Sequence, residues 1–101
     1  MELLEIIKSL SNETRLNILE WLKNPFAHFP EEELSQDTPE LGVCVSDIAK
    51  KAGMSTPTVS DYLKMMSAAN LLIATRKGQW TYYKRNEKTI QDLATHIKNK
   101  L

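Results

Sequence analysis

The side chains best suited to chemistry in this chain lie between Thr56 and Lys64. Thr56, Thr58, Ser60, Asp61, Tyr62 and Lys64 share one flank of a segment whose other flank carries Val59, Leu63 and Met66, at i, i+4 and i+7. That apolar spacing predicts an amphipathic helix. A solvent-facing helical surface is ordinarily rich in Glu and Lys. This one offers short hydroxyls, an aromatic ring and one cation. Hydroxyls and ammonium groups donate to phosphate oxygens and base edges, and threonine methyls meet thymine methyls. The chemistry that fits is reading a nucleic-acid groove rather than making or breaking bonds. Asp61 would repel phosphate, so on such a face it must approach a base amino group such as that of cytosine.

Three further side chains are candidate metal ligands: Cys44, His28 and His96. Cys44 is the only cysteine, so it forms no intrachain disulfide and fits a reducing compartment. Its sequence neighbours Val43 and Val45 are apolar, and no cation stands beside it to lower the thiol pKa. A buried structural thiol, with Ser46 as the N-cap of the next helix, is the plainer reading. Sensing of oxidants through a sulfenate or mixed disulfide is the sharper one. His28 lies between Phe26 and Phe29 and just before Glu31, Glu32 and Glu33. That group suggests a hard-metal or small-molecule site, or simply two phenylalanines anchoring a surface connection in the core. His96 and Asp92 stand at i, i+4, but two ligands rarely suffice for a metal. An exposed His96 is the simpler expectation. No nucleophile, base and orienting group recur together, and no glycine-rich phosphate loop is present. An enzyme is therefore disfavoured and no cofactor is expected.

The hydroxyl-rich helix must be positioned by what surrounds it. Val45 to Ala52 carries Ile48, Ala49 and Ala52 on one side, and Gly53 ends it, since glycine enters the left-handed conformation without a Cβ penalty. Ser55 sits at an N-cap position, and Pro57 falls in the following first turn. Residues 45–70 thus read as two helices joined by a tight turn. Leu71–Thr75 and Gln79–Lys84 read as strands, with Lys77 and Gly78 as the turn between them. Residues 71–85 form this hairpin, in which Trp80, Tyr82 and Tyr83 are expected to serve as anchors. Glu2–Leu10 carries Leu3, Leu4, Ile6, Ile7 and Leu10 on a broad stripe. Ser11 or Asn12 caps a second helix through Leu16, Ile18, Leu19 and Leu22, ending before Pro25. Asn86 caps a last helix in 86–101, with Ile90, Leu93, Ala94, Ile97 and Leu101 as its stripe. Residues 24–42 hold three of the four prolines and five acidic residues. They read as a long acidic connection with one helical turn starting at Pro30, either a surface insertion or a functional loop.

One domain spans 1–101, mainly α with a small β-hairpin, in the order α-α-α-α-β-β-α. Hydrophobic content of 42% and charged content of 26% are those of a globular protein. No apolar run approaches the roughly 20 residues that span a bilayer, so no membrane partner is expected. Met1–Leu10 is acidic and amphipathic, unlike a secretory leader, and the expected location is the cytoplasm. The formal net charge is zero, but residues 1–47 hold 3 Lys/Arg against 10 Asp/Glu while residues 48–101 hold 10 against 3. The basic half contains the two-helix unit and the hairpin, which places a basic face on the groove-reading elements.

Taken together, LSNETRLNILEWL (Leu10–Leu22), VCVSDI (Val43–Ile48), STPTVSDYLK (Ser55–Lys64) and RKGQWTYY (Arg76–Tyr83) resemble four signature segments of the ArsR/SmtB family of winged helix-turn-helix repressors. The resemblance implies a homodimer built on the first and last helices, through Leu3, Leu4, Ile7, Ile90, Leu93 and Ile97. These stripes packing on the monomer core is the alternative. It also implies two recognition helices in successive major grooves of double-stranded DNA, on an inverted-repeat operator. The DNA-binding set would be Lys51, Ser55, Thr56, Thr58, Ser60, Asp61, Tyr62, Lys64, Arg76, Lys77 and Gln79. Lys51 and Lys64 would take phosphates, and Arg76, Lys77 and Gln79 would reach the minor groove from the wing. Many members carry two metal-binding cysteines where this chain has Cys44 and Ser46. One thiol and one hydroxyl make a poor soft-metal site. Nor do Asp92 and His96 reproduce the His/Asp/Glu set that other members use. The reading is a DNA-binding regulator with no thiolate metal site and an effector left open. A winged-helix interaction module that lost DNA binding is the alternative, supported by Asp61 and the neutral total charge.

Overall fold

Caps and helix breakers set the order of elements. A computed structural model describes residues 2–101. Helix α1 (Leu3–Leu10) turns into α2 (Glu13–Lys23). Asn12 is the cap between them: its side-chain oxygen accepts the Arg15 backbone N–H at 3.0 Å, satisfying a donor the helix leaves free. Asn24 and Pro25 stop α2, because the residue before a proline is pushed out of the helical region.

The connection that follows is more ordered than its composition predicts. It contains α3 (Pro25–His28), a 3-10 turn (Glu31–Glu33) and α4 (Thr38–Leu41). Pro25 and Pro39 each sit in the first turn of a short helix, where the missing N–H costs nothing. These prolines start helical turns rather than only breaking them. The connection closes at Gly42, with φ +91°, where a Cβ would fall on the Tyr83 carbonyl.

Gly42 leads into β1 (Val43–Cys44), a strand the sequence does not predict, since two residues carry no alternation to read. Helix α5 (Val45–Ala52) follows directly. Cys44 holds its N-cap position and Ser46 is the second helical residue, which corrects the expected Ser46 cap. Gly53 ends α5 at φ +67°. Ser55 then caps α6 (Thr56–Ala68), its hydroxyl accepting the Thr58 N–H at 3.3 Å.

Strands β2 (Leu72–Lys77) and β3 (Trp80–Arg85) make the wing. Lys77 pairs with Trp80, so Gly78 and Gln79 form the turn and Lys77 belongs to the strand. This one-residue correction suits a two-residue hairpin loop with glycine in its first place. The sheet order is β1-β3-β2, with Val43 opposite Tyr83 and Cys44 opposite Tyr82. Asn86 caps α7 (Glu87–Lys100), accepting from the Thr89 N–H at 3.4 Å.

Ile6, Ile18, Ile48, Val59, Leu63, Met66 and Leu71 are wholly buried, joined by Val43, Leu72 and Tyr83 from the sheet. Each fully buried aliphatic side chain stabilises the fold by about 1.5–3 kcal/mol. The core thus grips the inner face of α6 and fixes which residues it turns outward. The terminal helices are different. α7 buries none of its residues; Ile90 and Leu93 are half-buried and Ile97 is exposed. On α1, Leu3 is half-buried while Leu4 and Ile7 are exposed. No helix among the described residues is long and apolar enough to cross a membrane.

Candidate nucleic-acid interface

With Val59, Leu63 and Met66 pointing into the core, helical geometry turns the intervening residues outward. Thr56, Asp61 and Lys64 are exposed, and Thr58, Ser60 and Tyr62 are half-buried. The Ser55 and Thr58 hydroxyls lie 2.9 Å apart. They order one another at the N-terminus of α6, the end that reading helices of this kind direct at base edges. Asp61 forms no ion pair among the described residues.

Tyr62 has a partner the sequence does not reveal. The Arg15 guanidinium lies over its ring, 5.0 Å from the centroid. Arg15 also donates through Nε to the Ser9 carbonyl at 2.7 Å. One side chain of α2 thereby links the end of α1 to the outward face of α6. The residues are 47 apart in sequence, so no local pattern announces the contact.

The basic residues of the unit are not bare charges. Lys51 is exposed, and its ammonium lies 5.0 Å from the Trp21 ring centroid and 5.8 Å from that of Phe29. Those two rings meet edge to face. Lys50 pairs with Glu33 at 3.4 Å, and Lys77 pairs with Asp37 at 3.2 Å. Two acidic residues of the connection therefore reach α5 and the wing. Arg76 is exposed and donates to the Gly78 carbonyl at 3.1 Å, which braces the turn. Gln79 is exposed in that turn. Trp80 is also exposed beside it, at 48%, which corrects its expected anchoring role. Tyr83 is the buried anchor, with Tyr82 half-buried. Trp80 pairs with Lys77 at the end of the hairpin, and that pairing is what frees its ring.

The candidate metal ligands lie apart. Cys44 is half-buried, less enclosed than its neighbours suggest. Its thiol donates to Asp47 Oδ2 at 3.0 Å and lies 3.2 Å from the Ser46 hydroxyl. Burial pushes the thiol pKa up, and the hydrogen bond to Asp47 adds to that. His28 is exposed at the end of α3. His96 is half-buried on α7, where Asp92 is already paired with Lys88 at 3.1 Å. Among the described residues no three His, Cys, Asp or Glu side chains gather into a metal-holding group. Of the two phenylalanines, only Phe29 enters the core; Phe26 is 58% exposed, so the expectation that both anchor the connection is corrected.

A capped two-helix unit packed against a three-stranded sheet with a projecting hairpin defines the winged helix-turn-helix class. Residues 43–74, from β1 into the wing, match the model of the bacterial regulatory proteins of the arsR family. The chain is 47% identical over 102 aligned positions to the HTH-type transcriptional regulator YbzH of Bacillus subtilis, covering all of both chains. It is 29% identical to the transcriptional repressor SdpR of Bacillus subtilis, over 86% of this chain and 79% of that protein. Its fold matches the solution structure of the homodimeric winged helix-turn-helix DNA-binding domain of Mb0332 from Mycobacterium bovis. That likeness has a TM-score of 0.64 at 26% identity, over 91% of this chain and 71% of that one. The chain belongs to the arsR family; it is a transcriptional regulator and not an enzyme.

Proposed function

We propose that this regulator is a homodimeric repressor that reads an inverted-repeat operator with α6 and grips the flanking backbone with its wing. The outward face of α6 carries the reading: its inner residues are wholly buried, leaving Thr56, Thr58, Ser60 and Asp61 to meet bases. Lys51, Lys64, Arg76 and Lys77 supply the phosphate contacts, with Ser55, Tyr62 and Gln79 beside them. The exposed Leu4, Ile7 and Ile97, with the half-buried Leu3, Ile90 and Leu93, supply the dimer face. Homodimerisation of the Mycobacterium bovis relative and repression by SdpR support this reading. A lone thiol whose neighbour is the Ser46 hydroxyl supports a regulator without a thiolate metal site. Its effector is then something other than a thiolate-bound metal.

Thr58→Ala and Ser60→Ala should reduce discrimination between operator and scrambled duplex by about 1–3 kcal/mol where a bidentate base contact is lost. Lys77→Ala should weaken all duplexes alike and flatten the salt dependence. Variants of both kinds that bind like the parent would remove this face from consideration. A second reading is a winged-helix interaction module without DNA affinity, favoured by the exposed Asp61, which has no ion pair among the described residues. Duplex binding created by Asp61→Lys, where the parent has none, would establish it.

A further inference from the structure

An unassigned concavity beside the wing lies away from α6. It is an open cleft of about 500 Å³ between the end of α2, the connection, the wing and the start of α7. Small-molecule sites commonly occupy roughly 300–1,000 Å³. Phe26, whose ring is largely exposed, and Ile73 line it, together with Lys23, Lys84, Arg85 and Glu87. Ile73 and Lys84 are direct cross-strand partners, so they present to the same side of the sheet.

The charges in this cleft are unequal. Glu87 is occupied, taking both Arg85 Nε and Nη2 at 2.9 Å. Lys23 and Lys84 form no ion pair among the described residues. Two free ammonium groups therefore border an apolar floor that contains an exposed aromatic ring. Such a lining suits one negative group joined to a flat apolar body. It suits a phosphate or dicarboxylate poorly, since those would leave Phe26 and Ile73 uncovered and crowd Glu87.

We propose that this cleft binds a small aromatic monocarboxylate, its ring against Phe26 and Ile73 and its carboxylate between Lys23 and Lys84. The cleft joins the connection to strands β2 and β3, so an occupant would bias the wing's position. This regulatory consequence rests on the DNA-reading function proposed above; binding itself does not.

The test is calorimetric titration of the full chain, without DNA, with 2-naphthoate and with its uncharged analogue 2-naphthalenemethanol. The expected result is saturable binding of naphthoate at one site per chain, tighter than the alcohol. The Lys23→Gln/Lys84→Gln variant should weaken naphthoate about tenfold, equivalent to about 1.4 kcal/mol, and leave the alcohol unchanged. Phe26→Ala should weaken both ligands. Pairing Lys23 with Lys84→Arg, which keeps the charge, should retain binding and guards against a folding defect in the glutamine variant. No saturation at millimolar naphthoate, equal affinity for the alcohol, or an unchanged affinity in the glutamine variant would each overturn the proposal. A separate titration of the naphthoate-loaded protein with duplex reads the coupling, so loss of coupling is distinguishable from loss of the site.

Discussion

Asp37→Asn removes the carboxylate that holds the wing lysine. In the free protein Lys77 Nζ lies 3.2 Å from Asp37 Oδ2, with both side chains about half exposed. A phosphate that recruits Lys77 must displace that carboxylate or share the ammonium with it. Exposed pairs contribute about 0.2–1 kcal/mol, and this degree of exposure places the pair in the lower half, about 0.2–0.5 kcal/mol. Releasing one wing lysine should therefore tighten DNA binding about 1.4- to 2.3-fold, and releasing both in a dimer about 2- to 5-fold. Fluorescence anisotropy at low salt, where screening is weak, is the appropriate assay. The gain should be equal on operator and scrambled duplexes, because a phosphate contact carries no sequence information. It should vanish in a Lys77→Gln background, where no ammonium remains to be released. Unchanged affinity at low salt, or an equal gain in the Lys77→Gln protein, would refute the competition and leave only a general loss of negative charge.

Other residues give independent predictions. Gly42→Ala should cost more than about 1 kcal/mol in urea unfolding, since the added methyl meets the Tyr83 carbonyl at a positive φ; a neutral result would mean the connection relaxes freely. Cys44 should alkylate with iodoacetamide more slowly at neutral pH than the urea-unfolded chain, because its raised pKa leaves less thiolate. Asp47→Asn should speed that reaction by removing the hydrogen bond that favours the thiol; an unchanged rate would detach the reactivity from this contact. Leu4→Glu or Ile97→Glu should convert a dimer to a monomer in sedimentation equilibrium while the far-ultraviolet spectrum stays native, because both side chains are exposed within one chain. A dimer that survives both changes would place the interface elsewhere.

The parts of this fold legible in the sequence are those where a residue type has one local use. Gly53 ends α5 and Ser55 caps α6. The Val59, Leu63 and Met66 spacing selects the buried side of α6, and all three are fully enclosed. Where the outcome depends on distant residues, the reading stops. Strand β1 exists because Val43 and Cys44 pair with Tyr83 and Tyr82 across the fold. Trp80 and Tyr83 look alike as aromatic strand residues, yet one is exposed beside the turn and the other is core. Phe26 and Phe29 flank the same histidine, but only Phe29 meets Trp21. The Arg15–Tyr62 contact and the Lys50–Glu33 and Lys77–Asp37 pairs cross elements that no periodicity connects. The charge split between residues 1–47 and 48–101 does foreshadow the latter two. It marks where opposite charges reside without saying which of them meet.

The proposed reading of DNA by α6 and the wing is open to a direct test. The most direct measurement is anisotropy of the purified protein against duplex from upstream of its own coding sequence and against a scrambled duplex, across a salt series. The expected result is tighter binding to the upstream duplex, with log affinity falling steeply against log salt as phosphate counterions are released. Absence of binding to either duplex at low salt would contradict it.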